Sequence, residues 1–240
     1  MIKITDFFTK EPRTYTELNE SLNISSEEYH KKILENKMDS HTQIKDAPLF
    51  SRRLEIFIKQ FFFDRGNKTI ILDCGCGLGL IGMELEKYKN FEVFLSEPSE
   101  SIKKIIDTIY PNKKFLPFPI EKIPKEFNNF FDVIYLREVY PFTRSNDISL
   151  HTELIKMLNE KLKKNGILIF EQIKNSEDLF DNLEKLKIIY KKFYLLPVRC
   201  FNFRWFHKIY FNIDFLSSLT KLAYKLSNKK INHYIVVKKY

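Results

Sequence analysis

Between residues 69 and 172 the spacing of hydrophobic positions changes period repeatedly. Short β-branched and aromatic runs alternate with stretches in which apolar side chains recur every three or four positions. The runs predict strands at Ile70 to Asp73, Glu92 to Ser96, Lys114 to Pro117, Asp132 to Leu136 and Ile167 to Glu171. The stretches between them predict helices near 79–88, 99–109 and 150–163. Such alternation requires crossover connections, so an α/β fold wound around a mostly parallel sheet is expected.

The flanks extend this pattern. Leu54, Phe57, Ile58, Phe61 and Phe62 fall at helical spacing, so residues 51–63 should lie as an amphipathic helix on the sheet, ending at Gly66-Asn67. The first 66 residues are otherwise polar and read as helical pieces, an N-terminal helical cap on a main domain spanning 67–240. Ser25-Ser26-Glu27-Glu28 looks like a helix start, with serines able to cap and carboxylates favoured in the first turn. Lys163-Lys164-Asn165-Gly166 reads as a helix C-terminus, residues 176–187 as a further helix, and Tyr234 to Val237 as a closing strand.

Four of the six glycines sit in one window, Gly75, Gly77, Gly79 and Gly82, directly after Thr69-Ile70-Ile71-Leu72-Asp73. A buried strand that breaks into alternating glycines predicts a tight turn feeding a helix from Leu80, with backbone open to close approach by a ligand. Gly77, Gly79 and Gly82 also satisfy the GxGxxG spacing, with Glu97 twenty residues beyond Gly77, so a dinucleotide site is the rival reading. Asp73 separates the two. A carboxylate beside the turn repels a pyrophosphate and attracts a cation.

The stretch Leu72-Asp73-Cys74-Gly75-Cys76-Gly77-Leu78-Gly79 resembles the first motif of class I S-adenosylmethionine-dependent methyltransferases. Phe94-Leu95-Ser96-Glu97-Pro98-Ser99 is similar to the family's second strand with its acidic end, Phe131-Asp132-Val133-Ile134 to its fourth, and Leu162 to Ile169 to the join into its fifth. The resemblance covers about residues 69–172 and implies a Rossmann-like, doubly wound sheet of seven strands. It also implies S-adenosyl-L-methionine as cofactor. Asp73 with Gly75, Cys76, Gly77 and Gly79 would hold the amino-acid portion, Glu97 the ribose hydroxyls and Ile120 the adenine, with Pro98 a further cofactor-binding candidate. Ile120 stands in Pro119-Ile120-Glu121-Lys122-Ile123-Pro124, where many relatives carry an acidic residue for the adenine amino group. Here proline removes that acceptor.

Acceptor chemistry is less clearly written. The end of the fourth strand, Leu136-Arg137-Glu138-Val139-Tyr140-Pro141-Phe142, is where ligand-facing residues emerge. It departs from the Asn/Asp-Pro-Pro-Tyr/Phe motif that resembling enzymes use on planar amino groups. Arg137 is a candidate for cofactor or substrate contact and equally for an ion pair. Tyr140 is a candidate acceptor-facing residue, and His151 a candidate base for a hydroxyl acceptor, ahead of His30 and His207.

Charge changes the picture only at the C-terminal end. The net charge is +9, and residues 173–240, with 14 basic and 5 acidic side chains, carry all of it. Aromatics interleave with these charges, and an insertion at about 199–230 is longer than a plain connection needs. Such a segment suits an anionic small-molecule or glycan-like acceptor as the leading partner. RNA is a weaker alternative, contact with an anionic membrane leaflet another, and a cofactor-binding subunit without catalysis a third. No apolar run is long enough to span a membrane and no signal-peptide core opens the chain, which leads us to expect a cytoplasmic protein. Cys74, Cys76 and Cys200 lack the partners of a zinc site, so reduced thiols and no metal are expected. Nothing in the pattern sets an oligomeric state.

Overall fold

The computed structural model describes residues 27–28, 31, 47–62, 68–142, 145, 147–173, 179–180, 183, 185–193 and 233–240. Helix α1 (Ala47–Phe61) precedes β1 (Thr69–Cys74), α2 (Leu80–Leu85), β2 (Phe91–Ser96), α3 (Glu100–Ile109) and β3 (Lys114–Leu116). Then follow β4 (Phe131–Arg137), α4 (Ile148–Lys161), β5 (Leu162–Ile173), β6 (Leu186–Phe193) and β7 (His233–Lys239). The seven strands form one sheet in the order β3-β2-β1-β4-β5-β7-β6. Strands β1 to β5 pair in parallel, and β7 runs antiparallel between β5 and β6. The expected doubly wound, mostly parallel sheet is what the chain forms. Because the order reverses between β1 and β4, a crevice opens at their carboxyl ends.

The strands are continuous apolar runs because both faces are covered. One face sets Leu72, Ile134, Leu136, Leu168 and Phe170 against Leu154, Ile155 and Leu158 of α4. The other sets Ile71, Val93, Leu95, Val133 and Ile169 against α1, α2 and α3. In α1, Leu54, Phe57 and Ile58 are almost fully buried. Each such side chain contributes about 1.5–3 kcal/mol, so the apolar stripe anchors this helix.

Buried charge then sets where α1 sits. Arg53 pairs with Glu171 of β5, which also accepts the Tyr135 hydroxyl of β4, and all three side chains are out of solvent. A buried ion pair is worth roughly nothing over a well-packed apolar pair, yet losing one partner costs about 3–5 kcal/mol. The pair therefore selects a register for the helix more than it adds stability.

Three local expectations are corrected. Of the expected helix over 176–187, Leu179 is helical, but the end is corrected: β6 opens at Leu186, after a turn at Lys185 whose φ is 68°. Residues Lys163 to Gly166 belong to β5 instead of a helix end, with Asn165 absorbing the irregularity at φ 64°. The first helix after the glycines stops at Leu85, three residues early. Gly66-Asn67 and the expected insertion at 199–230 lie outside the described residues, as do His30, Cys200 and His207.

Candidate active site

Asp73, the glycine turn, Glu97 and Arg137 come together at the carboxyl ends of β1, β2 and β4. The parallel register sets Asp73 opposite Leu95 and Tyr135, so Glu97 and Arg137 each leave their strand beside it. The turn is pinned from below, because Gly75 and Cys76 donate their N–H groups to Ser96 O at 2.8 and 3.0 Å. Gly75 has φ +71°, and a Cβ there would lie 2.8 Å from Val139 Cγ2. Glycine at this point lets the loop after β4 seat directly on the turn.

Both carboxylates face this turn. Gly77 N–H donates to Glu97 Oε2 at 3.2 Å, and Gly82 N–H donates to Asp73 Oδ2 at 3.0 Å. Asp73 is 4% exposed and Glu97 also 4%, while residues 75–78 remain half-buried at the rim. Burial pushes the Asp73 carboxyl up from 3.8 to about 7; the Gly82 bond and Arg137 oppose the rise and the charge of Glu97 adds to it. Burial, reinforced by the same two carboxylates, also raises the thiols of Cys74 and Cys76 well above their ordinary range. The notch sets two carboxylates close together in a low-dielectric setting, an arrangement that favours a cation as ligand.

Arg137 is committed to several neighbours. Its guanidinium lies 3.9 Å from the centroid of the Phe50 ring, and its Nε is 3.5 Å from Glu171 Oε1. Its Nη2 is 3.8 Å from Glu138 Oε1. Through these contacts α1 reaches the rim of the notch, a link that spacing alone did not indicate. Glu138 is itself buried, with φ 55° and its N–H donating to Glu171 O at 3.0 Å. A non-glycine residue in the left-handed region at a strand end is a recurrent mark of functional loops.

The remaining candidates fall in different places. Pro98 is exposed, directly after Glu97. The Ile120 side chain is buried in the core with Leu116 and Ile123. Tyr140 is 58% exposed above the end of β4. His151 differs from the cleft-facing base expected of it. It is fully buried in the first turn of α4, its Nε2 is 3.1 Å from Pro141 O, and its ring packs on Phe142 at 5.3 Å between centroids. Asp147 caps that helix, accepting the Leu150 N–H at 3.1 Å, so the histidine braces the loop from beneath.

Part of the basic excess has structural work. Lys239 Nζ donates to Asn159 O at 2.8 Å, Leu162 O at 2.6 Å and Asn129 Oδ1 at 3.0 Å, at the amino end of β5, opposite the notch. Among the described residues no helix is long and apolar enough to cross a membrane. No cluster of metal-ligating side chains occurs among them.

A cationic nucleoside fits this donor set. Two buried carboxylates face a glycine turn whose backbone is open to close approach, and Arg137 acts electrostatically on Asp73.

Comparisons agree with the geometry. Residues 46–221 match the family model described as a methyltransferase domain. No curated protein sequence matches the chain. The plantazolicin methyltransferase BpumL, solved with S-adenosylhomocysteine, is similar at 13% identity and TM-score 0.55, over 92% of this chain and 93% of that one. Coclaurine N-methyltransferase, bound to N-methylheliamine and S-adenosylhomocysteine, is similar at 15% identity and TM-score 0.54, over 84% and 75%. An S-adenosylmethionine-dependent methyltransferase from Leishmania major shares 14% identity at TM-score 0.50, over 81% and 82%. With a family match over most of its length and the notch its fold requires, the chain belongs to the methyltransferase-domain family, as a class I enzyme that uses S-adenosylmethionine.

Proposed function

We propose that the protein methylates a small-molecule or glycan-like acceptor, with the cofactor held between β1, β2 and β4. The observation that carries this reading is the pair Asp73 and Glu97, both buried at the strand ends beside one glycine turn and accepting the Gly82 and Gly77 N–H groups. When bound, S-adenosylmethionine supplies a methyl group on an electrophilic sulfonium. Asp73 and the turn from Gly75 to Gly79 take the amino-acid portion, its ammonium answering the carboxylate. Glu97 accepts hydrogen bonds from the ribose hydroxyls, and Pro98 keeps the following backbone out of the way. The Ile120 main chain meets the adenine edge. Arg137 limits the repulsion between Asp73 and Glu97 and orients the cofactor carboxylate.

The residues around Glu138 to Tyr140 orient the acceptor and exclude water from the transfer, since alignment and desolvation account for much of the acceleration in such reactions. With His151 buried, Tyr140 is the exposed polar side chain placed to touch the acceptor. The basic residues after 185 favour an anionic acceptor, such as a sugar phosphate or an acidic glycan. Two structural neighbours act on small natural products, a plantazolicin and coclaurine, which supports the acceptor class by analogy.

The reading is tested by incubating the protein with methyl-labelled S-adenosylmethionine and fractionated small-molecule extract. Label should pass to a low-mass, anion-exchange-retained fraction. Transfer confined to RNA, with binding that weakens steeply as salt rises, would replace this acceptor with nucleic acid.

A further inference from the structure

Glu27 meets a loop more than seventy residues away in the chain. Its Oε2 accepts the Ser99 hydroxyl at 2.6 Å and the Ser101 N–H at 3.4 Å, and its Oε1 accepts the Ser101 hydroxyl. Ser99 is also the N-cap of α3, its Oγ accepting the Ile102 N–H at 3.3 Å. The Ser99 N–H in turn donates to Glu97 Oε1 at 3.3 Å. Glu97, Ser99 and Glu27 thus form one run of hydrogen bonds, and the other Glu97 oxygen accepts from Gly77.

A role confined to its own helix does not account for Glu27. Glu27 and Glu28 are helical, as the run Ser25-Ser26-Glu27-Glu28 led us to expect. Yet the Glu27 carboxylate is spent on the first turn of a different helix, where a negative charge is favoured. Ser99 can cap α3 without help. The second carboxylate fixes the two serines, and so the turn through Pro98 that sets the direction of Glu97.

We infer that Glu27 is a positioning residue for the cofactor, holding the Pro98–Ser101 turn so that Glu97 meets the ribose hydroxyls in one fixed orientation. The inference rests on the reading that Glu97 holds the ribose. Glu27 then belongs to the cofactor site, although it lies far before the glycine turn in the chain. A structural role would lower stability alone; a positioning role changes affinity in a way that depends on the ribose.

The test is calorimetry on the full chain with S-adenosylhomocysteine and with its 2′-deoxy analogue, together with thermal midpoints. Glu27→Gln and Ser101→Ala should each weaken S-adenosylhomocysteine by about fivefold, as expected for the loss of one charge-assisted hydrogen bond acting at second hand. Combined, they should weaken it no further. On the 2′-deoxy analogue the loss should shrink below about twofold. Unchanged affinity with a lower midpoint, or equal losses on both ligands, would overturn the inference and leave Glu27 a packing residue. Glu97→Gln separates the two ideas. If it weakens binding while the Glu27 and Ser101 variants do not, only the inference falls; if it has no effect, the ribose reading falls and takes the inference with it.

Discussion

Gly82 N–H donates to Asp73 Oδ2 at 3.0 Å, across the turn that separates the end of β1 from the body of α2. One bond couples the carboxylate to the helix, so neither can shift alone. The glycine is required for this closeness. A Cβ at position 82 would lie 2.4 Å from Leu95 Cδ2 and 2.9 Å from Asp73 Oδ2.

Gly82→Ala is therefore expected to destabilise the fold by about 1–3 kcal/mol, the usual cost of overpacking a closed core. Leu95 is 1% exposed and has little room to retreat. Urea unfolding would measure the loss, and affinity for S-adenosylhomocysteine should fall with it because Asp73 is displaced. An alanine variant as stable and as tight as the parent would contradict the coupling.

The raised carboxyl of Asp73 gives a pH dependence with a definite sign. Its pKa is about 7 in the fold against 3.8 ordinarily, so between these values the native state keeps a proton that the unfolded chain has lost. The stability linked to this group is fully present below about pH 4 and disappears as pH rises to about 7. Binding runs the other way: a cationic ligand prefers the ionised form, so affinity should rise through pH 7. Calorimetry in buffers of different ionisation heat should detect a proton released on binding at pH 6 and none at pH 8.5. Asp73→Asn should abolish the release.

Arg53 and Glu171 form the buried pair that fixes α1 against β4 and β5. Glu171→Leu is expected to cost about 3–5 kcal/mol, because Arg53 and Arg137 both lose a carboxylate in a site without solvent. Arg53→Met, which leaves Glu171 with Tyr135 and Arg137, should cost less. Chemical denaturation of both variants decides the order, and the reverse order would mean that Arg53 is held mainly by other contacts.

His151 supports the loop through Pro141 and Phe142. His151→Ala should lower stability by about 1–3 kcal/mol and leave the shape of the pH profile for methyl transfer unchanged. Loss of a limb of that profile in the variant would return the histidine to the chemistry.

What the sequence revealed follows from how local each signal was. The strands, the turn at Gly75 to Gly79 and Glu97 were legible because a buried parallel strand, a backbone that must take positive φ and an acidic strand end are written in adjacent residues. The placement of His151 was not, since its position at a helix start is compatible with surface, cap or core, and only the packing of Phe142 decides it. Lys163 to Gly166 carried a helix-end composition, but β5 pairs with β4 on both sides of it, at Leu162 and Ile167, and the register shifts across the stretch. Glu27 looked like a residue serving its own helix; its partners lie too far along the chain for any periodicity to indicate them. The α1 contact of Phe50 with Arg137 escaped notice for the same reason.

Asp73 and Glu97, beside the glycine turn, are shaped for a sulfur-bearing nucleoside cation and its demethylated product. Titrating the purified protein with S-adenosylhomocysteine, and separately with NADH, tests this most directly. Saturable heat is expected with the first, about tenfold weaker in Glu97→Gln, and none with the second. Saturation by NADH with no response to S-adenosylhomocysteine would contradict it.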